Sequence, residues 1–352
     1  MTTVTAEAPV RTCDCGGWTD TWFARHGAVF HIAVNPGVRV VVQSRVTRPG
    51  PPAPVLLHAE NYGDRYAFVP GTRPWVRHAL LEAAVESVGV PPGMAVEVSV
   101  ASAVPPGAAT GTSAAVCVAL VGALQALWGR SADPDAVARA AHAVEVGRLG
   151  RQSGLQDQFA AARGGINYVE IPEYPEADCR PVAASDAVRG ALGQRLLLVY
   201  LGRTHNSTAI HEEVIRSLDG PDPAGLAALT DLRRAAAAAR DAVEAGDLAG
   251  LGAAMQSNTE GQRRLHPSLV GADAQRVIAA VAARGALGWK VNGAGGEGGS
   301  LAVLCPPGAA ARAAIEAAIA QASRDCRVLP TSIAAAGLHI TVGESSGGEA
   351  SP

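Results

Sequence analysis

The hydrophobic pattern divides the chain into short β-rich runs and longer helical ones. Residues 9–45 predict strand, loop, strand. Within them AVFHIAV (28–34) and VRVVVQSRV (38–46) are rich in β-branched residues and are separated by Asn35-Pro36-Gly37, a turn sequence. TRPGPPAP (47–54) predicts a loop. WVRHALLEAAVESVG (75–89) repeats apolar residues at helical spacing and stops at a glycine. MAVEVSVASAV (94–104) alternates at first and predicts a strand. Residues 105–112 then form a loop, and 113–128 a mostly apolar helix, buried on most sides. Asp133-Pro134 starts another helix, running to about Gly150.

After Gly165 the character changes. INYVEI (166–171) and RLLLVYLG (195–202) predict strands, and Asp222-Pro223 opens a helical region to about Leu265, broken near Ala245-Gly246-Asp247. A helix over 273–284, a strand, a glycine loop, the strand SLAVL (300–304), a helix over 308–323 and the strand GLHITV (337–342) complete the pattern. Strands mixed with helices, ending strand–helix–strand, predict an α+β sandwich for the second half. The domain boundary falls between residues 165 and 195 and is drawn as 1–180 and 181–343, with a disordered tail over 344–352. There is no internal repeat.

Composition narrows the class. A chain of 352 residues accommodates two domains, and 48% hydrophobic residues supply a sizeable core. A net charge of −3 gives no electrostatic footprint for nucleic acid or an anionic membrane. Lys290 is the only lysine. The six cysteines are scattered apart from Cys13-x-Cys15, so small apolar thiols in a reducing compartment are expected rather than a zinc site. With no signal-peptide pattern at the start and no apolar run of spanning length, the expected location is cytoplasmic, where the sequon at Asn206 carries no weight.

Four stretches carry candidate chemistry. In VPPGAATGTSAAVCVALVGAL a strand ends, a loop of very small residues follows, and Thr112-Ser113 stand where a helix begins. Such a loop lets a phosphate approach backbone N–H groups at a helix N-terminus, although an ordinary N-capped helix has the same pattern. In KVNGAGGEGGSLAVL the spacing Gly293, Gly295, Gly298 precedes a strand, not the helix that a dinucleotide-binding loop requires. Its glycines point instead to close backbone packing. Glu145 lies on a predicted helix, and Asp157 sits in SGLQDQFAAARGG among small and apolar residues. Phosphoryl transfer uses carboxylates to hold Mg²⁺ and to orient or deprotonate the acceptor hydroxyl. From the local pattern alone a solvated helix face is the plainer reading of Glu145, while an N-cap fits Asp157 as well as a catalytic role does. Lastly, APVRTCDCGGWTDTW places Arg11, Asp14, Trp18, Thr19 and Asp20 around a Gly16-Gly17 turn, with Trp22 close behind. Carboxylates beside aromatic faces suit a carbohydrate, and a core tryptophan at a bend suits the same letters.

In this order the four stretches resemble the GHMP kinase superfamily of galactokinase, homoserine, mevalonate and phosphomevalonate kinases. Arg11 through Asp20 resembles the first motif at galactokinase spacing. PPGAATGTSAA resembles the phosphate loop P-P-G-S-G-L-G-S-S-A-A, and NGAGGEGG the third motif. The sequences G-G-W-T-D-T, G-x-Q-D-Q-x-A-A-A-x-G-G-x-N and VYLGRTHNSTAIHEEVI (199–215) look most like the fucokinase and D-glycero-D-manno-heptose 7-phosphate kinase branch. The sequence departs from the pattern at Ala109 and Thr110 in the phosphate loop, at Thr112, and at Glu297 in the third motif.

The resemblance implies a two-domain α+β fold, the N-terminal domain like the second domain of ribosomal protein S5 and the C-terminal domain ferredoxin-like. It implies ATP and Mg²⁺. The phosphates would lie on Pro106, Gly107, Ala108, Ala109, Thr110, Gly111, Thr112, Ser113 and Ala114, and the metal on Ser113 and Glu145. Asp157 would be catalytic with Arg11 beside it, and Gly17, Trp18, Thr19, Asp20, Gly295 and Gly296 would serve the acceptor. Arg203, His205 and His211 are further acceptor-pocket candidates. The expected reaction is transfer of the γ-phosphoryl to a sugar hydroxyl, the anomeric one of a heptose 7-phosphate or related sugar, with room for a homodimer. The alternatives are another acceptor (fucose, galactose, a uronic acid, a non-sugar alcohol), a non-catalytic sugar and ATP sensor, and a decarboxylase of phosphorylated mevalonate.

Overall fold

Strand β1 (Thr2–Cys15) begins as an alternating strand, with Val4, Ala6, Ala8 and Val10 turned inward, and becomes buried at every position from Ala8 onward. Helices cover that end on more than one side, so a short polar motif is carried into the interior. The structure is a computed structural model that describes the chain except residues 48–52, 76, 204–206, 219–222 and 345–352, and for 207–211, 217 and 344 only the backbone.

β1 pairs antiparallel with β2 (Gly27–Val46), a single strand of 20 residues. The turn expected at Asn35-Pro36-Gly37 is absent. The chain runs straight through, and the β1–β2 register shifts between Ala8 and Val10 instead. A Cβ on Gly37 would lie 2.0 Å from the Ala8 carbonyl oxygen, so this glycine serves a close strand approach. β3 (Val55–Ala59) and the edge strand β4 (Asp64–Phe68) were not visible in the hydrophobic pattern. They join β5 (Met94–Ser102) on the far side of β2. Helix α1 (Ala79–Val88) and α2 (Thr112–Leu127) follow, the latter buried all round as its uniform apolarity requires. α3 (Pro134–His142), capped by Asp133, passes into one π-helical turn, Ala143–Arg148, in place of the continuous helix expected to Gly150. α4 (Gln156–Arg163) packs against β1 and β2. β6 (Ile166–Glu173) pairs with the first half of β2 and with β7 (Glu176–Pro181).

α5 (Asp186–Arg195) leads to β8 (Leu196–Tyr200) and α6 (Ser207–Leu218). The pair α7 (Pro223–Ala245) and α8 (Leu248–Leu265) packs on β1 and β2. Beyond α9 (Ala272–Ala282), strands β9 (Gly288–Val291) and β10 (Ser300–Leu304), helix α10 (Ala309–Ala322) and β11 (Arg327–Leu329) complete a second sheet. Its order β11-β8-β10-β9, all pairs antiparallel, is the fourth-first-third-second arrangement of a ferredoxin-like βαββαβ unit.

The last two strands depart from the expected division at 180/181. β12 (Ser332–Ile333) and β13 (His339–Glu344) return to the first sheet and pair with β2 and β1, which places this end of the 181–343 segment in the first domain's sheet. An alternating segment specifies a strand but not its partner. The expected tail beyond 344 lies outside the described residues. No described helix is long and apolar enough to cross a membrane.

Candidate active site

The end of β1 delivers Arg11 to a loop that its own backbone holds, since the Arg11 N–H donates to the Thr110 carbonyl at 2.9 Å. In that loop Gly107, Ala109 and Gly111 all take left-handed backbone, φ +71°, +55° and +72°. Alternation of this kind turns successive N–H groups toward one side and makes an anion-binding concavity. The loop runs into α2, which has Gly111 at its N-cap and no side chain capping it. The capped-helix alternative for Thr112 or Ser113 is therefore set aside, and the helix start is free to receive an anion.

Asp157 stands across this loop at the start of α4, where it caps nothing. Arg11 grips it with a fork, Nε to Oδ1 at 2.8 Å and Nη2 to Oδ2 at 3.1 Å, while Arg11 Nη1 donates to the Ala109 carbonyl. Gly111 has no Cβ where one would lie 3.0 Å from the Asp157 carboxylate. The Asp157 side chain, 24% exposed, faces the cleft. Gln156 Nε2 also donates to its Oδ1.

Glu145 lies in the π turn, a feature that recurs at functional sites. It is not on a solvated face. Its side chain is 4% exposed and accepts from Ser113 Oγ at 2.7 Å, Gln158 Nε2 at 2.6 Å and Arg151 Nη1 at 3.3 Å. Burial raises its pKa against these three partners. Hard oxygen donors at Ser113 and Glu145 suit Mg²⁺, and the Arg151 guanidinium on the same two atoms shows that the place attracts a cation. The described residues hold no group of three or more His, Cys, Asp and Glu able to bind a metal alone. Mg²⁺ characteristically takes one or two protein oxygens and completes its shell with phosphates and water.

Asp20 is 4% exposed and accepts the Gln156 N–H at 3.0 Å, with Gly154 leaving it room. Burial pushes its pKa up to about 6, with the Asp157 and Asp14 carboxylates adding to the rise and the Gln156 N–H opposing it. Asp14 is buried too. Burial would raise it, but Arg11, Lys290 at 3.2 Å and the Gly293 N–H at 2.9 Å hold it below the usual carboxylate range. Lys290, 0% exposed, thus ties the second sheet to β1. Asn292 adds to that junction by accepting from the Cys13 N–H at 3.0 Å, and Asn258 accepts from the Gly16 N–H at 2.6 Å.

Arg11, Asp14, Asp20, Glu145 and Asp157 meet in a cleft of about 630 Å³. Of the residues expected from sequence, Arg11, Gly17, Trp18, Asp20, Glu145, Asp157 and the loop Gly107 to Ala114 line it. Thr19 does not. Its hydroxyl donates to the Gly16 carbonyl at 2.7 Å and accepts from the Ala28 N–H, fastening the turn. Trp18 shows the cleft only part of its ring and packs with Phe23, Leu229 and Leu232 as a core residue. Gly295 and Gly296 also lie off the cleft. They pack on the Leu269 backbone, where a Cβ on Gly295 would fall 2.1 Å from the carbonyl oxygen, and Gly293 and Ala294 line the cleft instead. Glu297 points away and accepts from the Ala272 N–H at the start of α9. Pro106 lines an adjoining cavity of about 440 Å³, which shares Gly107, Thr112, Ser113 and Arg151 with the cleft and has Leu80, Val100, Val104 and Val116 in its wall. Arg203 lies off the cleft beside Asp273, while His205 and the His211 side chain fall outside the described residues. Sequence reasoning passed over Arg151, Gln156 and Gln158. Lys290 stands out only as the single lysine of the chain, and Gln156 and Gln158 only as letters of the G-x-Q-D-Q motif.

Residues 76–165 match the GHMP kinases N terminal domain. The mevalonate kinase of Thermococcus sibiricus is 43% identical over 75 residues, which are 21% of this chain and 22% of that protein. The D-glycero-alpha-D-manno-heptose 7-phosphate kinase of Campylobacter jejuni is 23% identical over 197 residues, 56% of this chain and 58% of that protein. The chain thus spans about a fifth of the one curated relative and just over half of the other. Among solved structures, a D-glycero-D-manno-heptose 1-phosphate kinase from Bacteroides thetaiotaomicron superposes with a TM-score of 0.72 at 17% identity, covering 98% of this chain and 100% of that one.

Proposed function

We propose that this chain, which carries a GHMP kinase N-terminal domain within a GHMP kinase fold, is a cytoplasmic ATP-dependent kinase that phosphorylates a sugar hydroxyl. The observation that carries the reading is the Arg11–Asp157 fork, set across one cleft from an uncapped helix start and a loop of left-handed residues. The N–H groups of residues 107–114 bind the polyphosphate, and the adjoining apolar-walled cavity takes the base and ribose. Ser113 and Glu145 would hold Mg²⁺, which supplies charge neutralisation to the phosphates. Asp157 orients the acceptor hydroxyl and receives its proton. Arg11 holds that carboxylate in place and offsets negative charge on the transferring group. Asp20 accepts from acceptor hydroxyls, with Trp18 beside it.

The heptose kinases among the relatives and neighbours favour a heptose 7-phosphate, phosphorylated at its anomeric hydroxyl. A second reading has one observation in its favour. Of the described basic residues at the cleft, Arg11 is engaged by Asp157 and Arg151 lies on the phosphate-loop side, while the acceptor end carries Asp20 and Glu212. That balance suits an acceptor without a phosphate, such as fucose, galactose or a polyol. ADP release from Mg-ATP across matched free sugars and sugar phosphates separates the two. Turnover with a phosphorylated heptose alone supports the first, and turnover with free sugars the second. Nucleotide binding with no turnover on any member would favour a sensor over both.

A further inference from the structure

Arg151 stands where the first cleft meets the adjoining cavity. Its Nη1 donates to Ser113 Oγ at 2.9 Å and to Glu145 Oε1 at 3.3 Å, the same two atoms that offer hard oxygen donors to a metal. The two partners are unequally held. Glu145 is 4% exposed, and its other oxygen is fixed by Gln158, whereas the Arg151 side chain is 43% exposed. A buried carboxylate needs a neighbouring cation. A guanidinium and a divalent ion cannot share one pair of oxygens, because their mutual repulsion at such a distance is large.

We propose that Arg151 is an exchangeable cation, hydrogen-bonded to Ser113 and neutralising Glu145 while the cleft lacks nucleotide, and moving onto the polyphosphate when a divalent ion takes those oxygens. The inference rests on the kinase reading, specifically on a nucleoside triphosphate in this cleft. A guanidinium released there has five donors and lies beside Gly107, Thr112 and Ser113 at the phosphate loop. The exchange makes metal binding depend on nucleotide, a positive coupling between the two ligands. It also keeps the protein from holding a divalent ion on its own.

The test needs neither an acceptor nor turnover. Mn²⁺ binding to the nucleotide-free full chain is measured by electron paramagnetic resonance, and a non-hydrolysable ATP analogue with Mg²⁺ is titrated by calorimetry. Arg151→Met should tighten Mn²⁺ binding at least about tenfold, the scale of one lost charged hydrogen bond, and leave affinity for the Mg-analogue within about threefold, because the lost polyphosphate contact offsets the relieved competition. Arg151→Lys should fall between, and Glu145→Gln added to Arg151→Met should abolish the gained Mn²⁺ binding. Unchanged or weaker Mn²⁺ binding in Arg151→Met, affinity for the Mg-analogue that rises along with Mn²⁺ binding, or gained Mn²⁺ binding that survives Glu145→Gln each overturns the exchange. Failure of the wild-type chain to bind the analogue would instead remove the kinase reading, so the two failures are distinct.

Discussion

Replacing Asp20 by asparagine should make the folded chain more stable at neutral pH, and only there. The Asp20 carboxyl is buried and titrates near 6 in the folded protein against an ordinary value of 3.8. The folded state therefore binds the proton more tightly than the unfolded state. The favourable contribution of the neutral carboxyl is fully present below about pH 3.8 and is lost as pH rises through about 6. Above that the ionised group costs a constant amount, about 3 kcal/mol for a shift of roughly two units. An asparagine carbonyl can still accept the Gln156 N–H, while its amide hydrogens need partners at a cost of about 1 kcal/mol. Asp20→Asn should thus gain about 2 kcal/mol at pH 8 and lose up to about 1 kcal/mol at pH 4, where little ionisation cost remains to offset the amide. Urea unfolding followed by circular dichroism at pH 4, 6 and 8 measures this from midpoint and slope. A difference that is the same at all three values, or a loss at pH 8, would refute the reasoning. If Asp20 serves acceptor hydroxyls as proposed, the same variant should also lose about 10- to 100-fold in kcat/KM.

Two further outcomes concern stability. Lys290→Met should cost about 3–5 kcal/mol at pH 7, since it leaves Asp14 buried with only the Gly293 N–H and an Arg11 contact at 3.9 Å. A loss below 1 kcal/mol in urea unfolding would contradict that role. Ala109→Gly should stabilise by up to about 1 kcal/mol, because relief of about 1–2 kcal/mol at φ +55° exceeds the added freedom of the unfolded chain. A lowered melting temperature would count against it.

How much of this was legible depends on the residue. The uniformly apolar run of α2 and the loop before it are legible as elements, because helix burial and a run of Pro, Gly and Ala leave local signatures. The Arg11–Asp157 pair joins positions 146 apart, which no periodicity encodes, and it entered through the likeness of motifs. Local pattern also left Glu145 on a solvated face, and the π turn that buries it is set by tertiary packing. Asn35-Pro36-Gly37 misled as a turn because the same letters serve a strand irregularity where Gly37 meets Ala8. Trp18 was read as a sugar platform, but it shares its ring with the core around Leu229 and Leu232. Arg151 leaves no signal because an exposed arginine is common everywhere, and Gln158 enters only as a letter of the G-x-Q-D-Q motif with no role attached. Only the Glu145 carboxylate gives them meaning.

The central claim is that Asp157, held by Arg11, serves the acceptor hydroxyl rather than the nucleotide. It is tested most directly by single-turnover transfer of a labelled γ-phosphoryl group in Asp157→Asn and wild type, on whichever acceptor the panel identifies, with affinity for a non-hydrolysable ATP analogue measured on both. The account predicts transfer slower by about 10³-fold or more, with nucleotide affinity changed by less than about threefold. Transfer within tenfold of wild type, or nucleotide affinity that falls along with it, would contradict the role given to Asp157.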